Sequence, residues 1–273
     1  MVVDIEFDKR ARDGSYRMHK EHYHSYYEIF YLQSGQCKFF INHTVYHVET
    51  GDVILLPPLT LHRTTYTPGC VSERITVFAG KQYLSGCDKR EQEAIERLFR
   101  AVQIPVAVGT RGFIENLFHN ISDELEHRDS YSTMVSGSYI RQLLVFLGRN
   151  KQAGPRPGAG QTEQAVQTVA EYMYHHYPEA ITLAQMAELA AMSPAYFSRK
   201  FKAVTGFGYK EYLNHLRLKE ATKQLLETKA SITEIAMSCG YGDSNYFGDV
   251  FHRAYGVSPR EYRKSATLSK YRQ

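Results

Sequence analysis

Within 273 residues the chain carries 33 Lys+Arg, 29 Asp+Glu and 12 His, a formal charge of +4. That length suffices for two domains with separate cores, and so mild a charge excludes any argument from bulk basicity. No run of about 18 apolar residues occurs and the N-terminal residues are polar, so neither a membrane helix nor a signal peptide is expected. The expectation is a soluble, cytoplasmic protein with no membrane partner. Cys37, Cys70, Cys87 and Cys239 are widely spaced and make no C-x-x-C pair. This spacing argues against a zinc ribbon and for reduced thiols. Charge is unevenly distributed: residues 1–150 hold 17 basic and 18 acidic side chains, whereas residues 151–273 hold 16 and 11. The basic excess therefore lies in the C-terminal half.

The first hundred or so residues read as β structure. Glu28–Leu32, Cys37–Ile41, Val45–Val48 and Val53–Leu56 are short runs of aromatic or β-branched residues. Ser34-Gly35, Asn42-His43 and Thr50-Gly51-Asp52 separate them as turns, and Pro57-Pro58 ends the last. Many short strands at this spacing predict a barrel or sandwich. The character changes near Lys89. Ile114, Leu117, Phe118, Ile121 and Leu125 keep helical spacing, as do Ile140, Leu143, Leu144 and Leu147, predicting two antiparallel helices. Lys151–Gln161 is rich in Gly, Pro and Ala without an apolar pattern and reads as a linker. Thr162 then opens a helical domain.

That helical domain contains one pattern twice. Tyr196-Phe197-Ser198-Arg199-Lys200-Phe201 precedes Gly206, and Tyr246-Phe247-Gly248-Asp249-Val250-Phe251 precedes Gly256. Upstream of each lies a short helix-like segment, Leu183–Ala191 and Ile232–Ser238, followed by a tight turn. A short helix, a turn and a second amphipathic helix form a helix-turn-helix, which places its second helix in the DNA major groove. Phe197 and Phe201 supply the apolar stripe of one such helix, and Ala187 and Ala236 are small where paired helices must approach. Ser193-Pro194 is a helix start with a capping side chain, and Gly206 and Gly256 are placed as left-handed C-caps. Apolar stripes alone would suit any helical bundle; the tandem arrangement is what points to DNA.

Across Ile181–Lys264 the chain resembles the AraC/XylS family of bacterial transcription regulators. The resemblance rests on Gly206, Tyr212, Arg217 and Ala221, on Ile232-x-x-Ile235-Ala236, on Gly240-Tyr241-x-Asp243-x-x-Tyr246-Phe247, and on Gly256-Val257-Ser258-Pro259-x-x-Tyr262-Arg263. It implies recognition helices at Pro194–Val204 and Ser244–Tyr255. The DNA-facing residues it implies are Ala195, Tyr196, Ser198, Arg199 and Lys202 in the first, and Ser244, Asn245, Asp249 and His252 in the second. Tyr209–Leu226 would be a rigid connecting helix that sets the two recognition helices about 34 Å apart on one DNA face. Tyr212 and Arg217 are expected to pack and hydrogen-bond internally. Promoter DNA and RNA polymerase are the implied macromolecular partners.

Asp4–Phe78 is similar to the cupin sensor domain that many AraC/XylS regulators carry. His22-x-His24-x-x-x-Glu28 followed by Gly35 matches one cupin motif, and Gly51-Asp52…Pro57…His62 matches a second, except that Leu59 stands where glycine is usual. This resemblance implies a pocket inside a barrel and a homodimer formed by the helices after it, through Phe113–Arg149 with Leu143 and Leu147 in the contact. His22, His24, Tyr26, Glu28 and His62 are the expected ligand-binding residues, for a sugar or other polar metabolite. Tyr23, Tyr26, Tyr27 and Tyr31 offer faces for sugar rings. The same imidazoles and carboxylate suit a divalent metal, but the reading taken is an organic ligand with no metal and no cofactor. No G-x-S-x-G elbow, P-loop or H-E-x-x-H is present, so no enzyme is expected. The one enzymatic alternative is a metal-dependent cupin oxygenase or isomerase with a DNA-binding tail. The expected fold is α+β in two domains. Residues 1–88 form a cupin-like β-barrel, 89–150 a helical dimerisation segment, 151–161 a linker, and 162–273 an all-α domain with two helix-turn-helix motifs.

Overall fold

The computed structural model describes residues 5–16, 24–83, 89–150 and 160–270, apart from the side chains of Lys81 and residues 265–270. The chain forms two compact units, Met1–Ala159 and Gly160–Gln273. The expected linker falls almost wholly on residues outside this description. Its last residue, Gln161, is already helical, with Gly160 as the N-cap.

The first unit is built on two antiparallel sheets. One has the strand order β1 (Ile5–Arg12), β7 (Ser72–Ala79), β2 (Tyr27–Ser34), β5 (Asp52–Leu56), β8 (Gln103–Pro105). The other runs β4 (Thr44–Glu49), β3 (Gln36–Ile41), β6 (His62–Tyr66). Side chains alternate across each strand. Phe30 and Leu32 of β2 and Ile54 and Leu56 of β5 therefore meet Cys37, Phe39, Ile41 and Tyr66 of the smaller sheet in one core. Ile29, Tyr31, Val53 and Leu55 point the other way and pack against three helices, α1 (Lys89–Phe99), α2 (Arg111–Glu126) and α3 (Ser132–Arg149). With both faces covered, β5 is buried along its whole length. This is why it reads as an unbroken apolar run.

The predicted helical stripes of α2 and α3 are buried, Ile114, Leu117, Phe118 and Ile121 in one and Ile140, Leu143, Leu144 and Leu147 in the other. Leu143 and Leu147, expected at a dimer contact, are instead fully enclosed in this unit's own core. The apolar side chains these helices leave exposed are Phe113, Met134 and Val145.

The second unit is all helical: α4 (Gln161–His176), α5 (Leu183–Leu189), α6 (Pro194–Thr205), α7 (Tyr209–Glu227), α8 (Ile232–Ser238), α9 (Ser244–Tyr255) and α10 (Pro259–Lys270). Among the described residues no helix is long and apolar enough to cross a membrane.

Candidate functional site

Each half of the second unit is built the same way from local signals. Thr182 and Ser231 cap α5 and α8 in reciprocal capping boxes with Gln185 and Glu234, which satisfies backbone donors that a helix start leaves open. In the turns that follow, Ala191 and Gly240 take positive φ, 52° and 88°. The Met192 N–H then donates to the Ala187 carbonyl and the Tyr241 N–H to that of Ala236. Gly206 and Gly256 end α6 and α9 in the left-handed conformation, with φ of 89° and 73°. Ser193 is the N-cap of α6 ahead of Pro194, but its hydroxyl makes no cap bond, unlike Asp243, whose carboxylate accepts from the Asn245 and Tyr246 N–H groups.

The aromatic scaffold repeats as well. Phe197 and Phe201 pack at 5.3 Å and Phe247 and Phe251 at 5.6 Å, centroid to centroid. Tyr212 meets Phe201 edge-on at 5.6 Å, and Tyr262 meets Phe251 at 5.5 Å. All four phenylalanines are fully buried, each worth about 1.5–3 kcal/mol of burial. The Arg217 guanidinium donates to the carbonyls of Tyr177 and Glu179, and that of Arg263 to those of Leu225 and Ala230. Tyr212 and Arg217 are thus internal packing and bonding groups, as expected. Helix α7 joins the two halves: its Tyr212 packs on α6, while Leu218, Ala221 and Leu225 enter the core of the second motif.

With the phenylalanines turned inward, the opposite faces are open. Ala195, Tyr196, Arg199 and Lys202 are exposed on α6 and Ser198 is half-buried. On α9, Asn245, Asp249 and His252 are exposed and Ser244 is half-buried. Arg199 and Lys200 flank the Tyr196 ring, with their charged groups 5.9 and 5.3 Å from its centroid. Tyr246, not among the DNA-facing residues the family resemblance implies, is more exposed than Tyr196, 52% against 39%. Its place in the doubled Tyr-Phe pattern was the signal that could have found it. Asp249 makes no ion pair with Arg253 among the described residues.

In the first unit the expected ligand residues separate. His22 and Tyr23 lie outside the described residues. His24 is not part of a strand, so strand alternation does not aim it. It stands before a bend, and β2 begins only at Tyr27. The Leu59 N–H donates to the His24 carbonyl, and Leu59 itself adopts φ 60°. The glycine-like backbone shape therefore persists although the residue is leucine, at a cost of about 1–2 kcal/mol. Tyr31 faces the helices rather than the space between the sheets, and its hydroxyl donates to Glu115 at 2.7 Å. Tyr27 likewise packs on Phe99.

His24, Glu28 and His62 do converge, and all three are buried. Glu28 projects from β2 in the larger sheet and His62 from β6 in the smaller. The Glu28 Oε2 lies 2.9 Å from His24 Nε2 and 3.3 Å from His62 Nε2. His24 Nδ1–H donates to the Tyr26 carbonyl at 2.8 Å, and His62 Nδ1–H to that of Thr60 at 2.9 Å. Tyr26 stacks on the His24 ring at 4.1 Å. Burial acts to raise the Glu28 pKa, but hydrogen bonds and charge from the two imidazoles outweigh it and hold the carboxyl well below its usual range. The Glu28 carboxylate raises the pKa of His62 against the opposing effect of burial. Asp52 of the second sequence motif is buried too. Its carboxylate accepts from the Glu49 N–H and the Gln103 side chain, a structural turn role. A separate cavity of about 450 Å³ beside the sheets is lined by Tyr27, Asn42, Thr60, Glu96, Phe99 and Arg100 among others.

Two family models match the chain, an AraC-like ligand binding domain over residues 8–144 and a helix-turn-helix domain over residues 186–265. The chain is similar to the HTH-type transcriptional activator RhaS of Enterobacter sp. (strain 638), with 26% identity over 251 residues covering 91% of this chain and 89% of that protein. RhaS of Escherichia fergusonii is 24% identical over 269 residues, covering 98% and 94%. Among solved structures, the C-terminal domain of AraT, a response regulator from Geobacillus stearothermophilus, is 33% identical, covers 39% of this chain and 86% of that one, and has a TM-score of 0.36.

Proposed function

The chain belongs to the AraC family of ligand-responsive, DNA-binding transcription regulators, and we propose that it is an activator whose α6 and α9 enter successive major grooves of its promoter. The observation that carries this reading is the doubling of one motif, each copy with its aromatic face buried and its polar face open. On α6, Arg199 reads guanine through two hydrogen bonds to O6 and N7. Lys202 neutralises phosphate, Ala195 contacts a thymine methyl group, and Tyr196 and Ser198 bond the backbone or base edges. On α9, Asn245 suits adenine, Asp249 accepts from a cytosine amino group, and Ser244 and His252 position the helix. Tyr246 joins this set as the exposed counterpart of Tyr196.

The N-terminal unit takes a polar small-molecule effector, with His24, Tyr26, Glu28 and His62 as its polar centre and His22 as a further candidate. The protein acts in the cytoplasm as a homodimer and recruits RNA polymerase. Phe113, Met134 and Val145, exposed on α2 and α3, are the dimer contacts proposed in place of Leu143 and Leu147. The similar RhaS proteins are named as transcriptional activators, which supports regulation rather than catalysis as its activity. The test is titration of the full chain against promoter fragments from its own gene neighbourhood. Specific binding that weakens steeply with salt is expected, because neutralised phosphates release counterions. No specific fragment at any salt concentration would overturn the reading.

A further inference from the structure

Away from the space between the sheets, a further cavity of about 540 Å³ opens where α1 packs on α3. Its described lining comes from these two helices alone. Ile95 and Leu98 of α1 and Leu144 of α3 make an apolar floor, each buried or half-buried. Around that floor stand three exposed guanidinium side chains, Arg97, Arg141 and Arg149, against one carboxylate, Glu91. Arg141 and Arg149 lie two turns apart on α3, about 12 Å along the axis. Among the described residues none of the three arginines makes a hydrogen bond or an ion pair. The positive surplus is local. Residues 1–150 as a whole carry 17 basic and 18 acidic side chains, but α3 has no Asp or Glu in its 18 residues.

Gly148 keeps the hollow open. A Cβ built on it would meet nothing within 4 Å, so close packing does not call for glycine there, and glycine is the poorer helix former. A longer side chain at that position would occupy the cavity. We propose that this groove binds one small organic anion per chain, an oxyanion head on an apolar body. The apolar part lies on Ile95, Leu98 and Leu144, in a volume within the range of about 300–1,000 Å³ usual for ligand pockets. The head accepts from the guanidinium N–H groups, whose planar fork suits carboxylate and phosphate alike. A hollow two helical turns long is too small for a protein partner, which buries about 800 Å² on each side. The site is separate from the polar centre at Glu28 and does not depend on the regulator reading. Of the side chains proposed above as dimer contacts, only Val145 lines it.

The probe is anilinonaphthalene sulfonate, an aromatic body with one anionic group that fluoresces on leaving water, titrated into the folded full chain. One bound probe per chain is expected, with an affinity that falls as salt rises, because exposed charges are screened. Uncharged phenylnaphthylamine should bind about threefold or more weakly. Arg141→Gln combined with Arg149→Gln should weaken the sulfonate by about tenfold and flatten its salt dependence, leaving the uncharged probe unchanged. Gly148→Leu should exclude both probes without lowering the melting temperature, since its Cβ has open space. Competition by naphthoate and by naphthyl phosphate tells which oxyanion the site prefers, with uncharged naphthalene methanol the weakest competitor. No stoichiometric probe in the wild type overturns the proposal. So does a sulfonate held as tightly by Gly148→Leu and by the arginine pair when both are folded. If Gly148→Leu melts early, the arginine pair decides alone, because its exposed side chains lie outside the core.

Discussion

Arg199 and Asp249 occupy matching exposed positions on α6 and α9, yet they offer DNA opposite chemistry. Arginine donates twice in one plane and is drawn to the phosphate-rich groove, whereas aspartate only accepts and is repelled by nearby phosphates. A local salt bridge to Arg253 would have made Asp249 neutral to DNA, but no such pair forms among the described residues. Arg199→Ala should therefore weaken specific binding by about 1–3 kcal/mol, with Asp249→Ala changing it little. Asp249→Arg should tighten binding and blur sequence preference. Binding titrations of the three variants at fixed salt decide this, and a larger loss from Asp249→Ala would make α9 the principal reader. At this scale the outward side chains of α6 and α9 could be picked from sequence because buried phenylalanines four apart fix which face is left. The Glu28 cluster was legible only in part. His24 reaches Glu28 from a bend before β2, where the Leu59 N–H holds its carbonyl, and no sequence spacing marks that contact.

The elements that sequence placed well are those whose signals are local. Helix α8 begins and ends where the pattern puts it and α9 where the family resemblance implies, and a capping box, an Asp cap and a left-handed glycine mark their ends. Strands β1, β6, β7 and β8 are not among the runs that sequence singles out. In β6 the inward side chains are His62, Thr64 and Tyr66, a largely polar set that no search for apolar alternation selects. Glycine at positive φ separates two kinds of constraint. At Gly256, φ is 73° and an added Cβ would meet nothing within 4 Å, whereas at Gly240, φ is 88° and that Cβ would lie 2.5 Å from the Pro178 carbonyl oxygen. Gly256→Ala should thus cost about 1 kcal/mol of stability from conformation alone. Gly240→Ala, which also pushes on backbone, should cost at least twice as much, as thermal melts will show. Helix α7 adds a pH dependence. Burial and the charge of Lys219 push the His215 pKa from 6.5 down to about 4. Because the folded value is the lower one, the unfolded chain takes up the proton first as pH falls. Stability is full above about pH 6.5 and declines toward pH 4, by roughly 2–3 kcal/mol. Melting curves from pH 7.5 to 4.5 should show this loss and His215→Gln should flatten it; an unchanged slope in that variant would assign the loss to other groups.

At the scale of the whole chain, function depends on two units that fold around different cores and meet different partners. The uneven charge agrees with that division: the acidic excess lies in the part that binds a small molecule and the basic excess in the part that faces DNA. What sequence periodicity could not decide was which apolar side chains of α2 and α3 enter the protomer's own core and which stay exposed. Leu143 and Leu147 continue the same stripe as Ile140 and Leu144, and all four close on the five-stranded sheet. Replacing either leucine with a charged residue would place an unpaired charge in that core, so it would unfold the unit whatever the oligomeric state. The informative positions are off that stripe. Val145 is 51% and Met134 64% exposed, so charge there leaves the core intact. If α2 and α3 form the dimer contact, Val145→Asp together with Met134→Glu should weaken self-association by at least tenfold, about 1.4 kcal/mol or more, with the melting temperature nearly unchanged. Light scattering across a dilution series reads the first and a thermal melt the second. A dimer mass that survives the double substitution would move the contact away from this face, and monomers that also melt early would mean that these side chains support the fold.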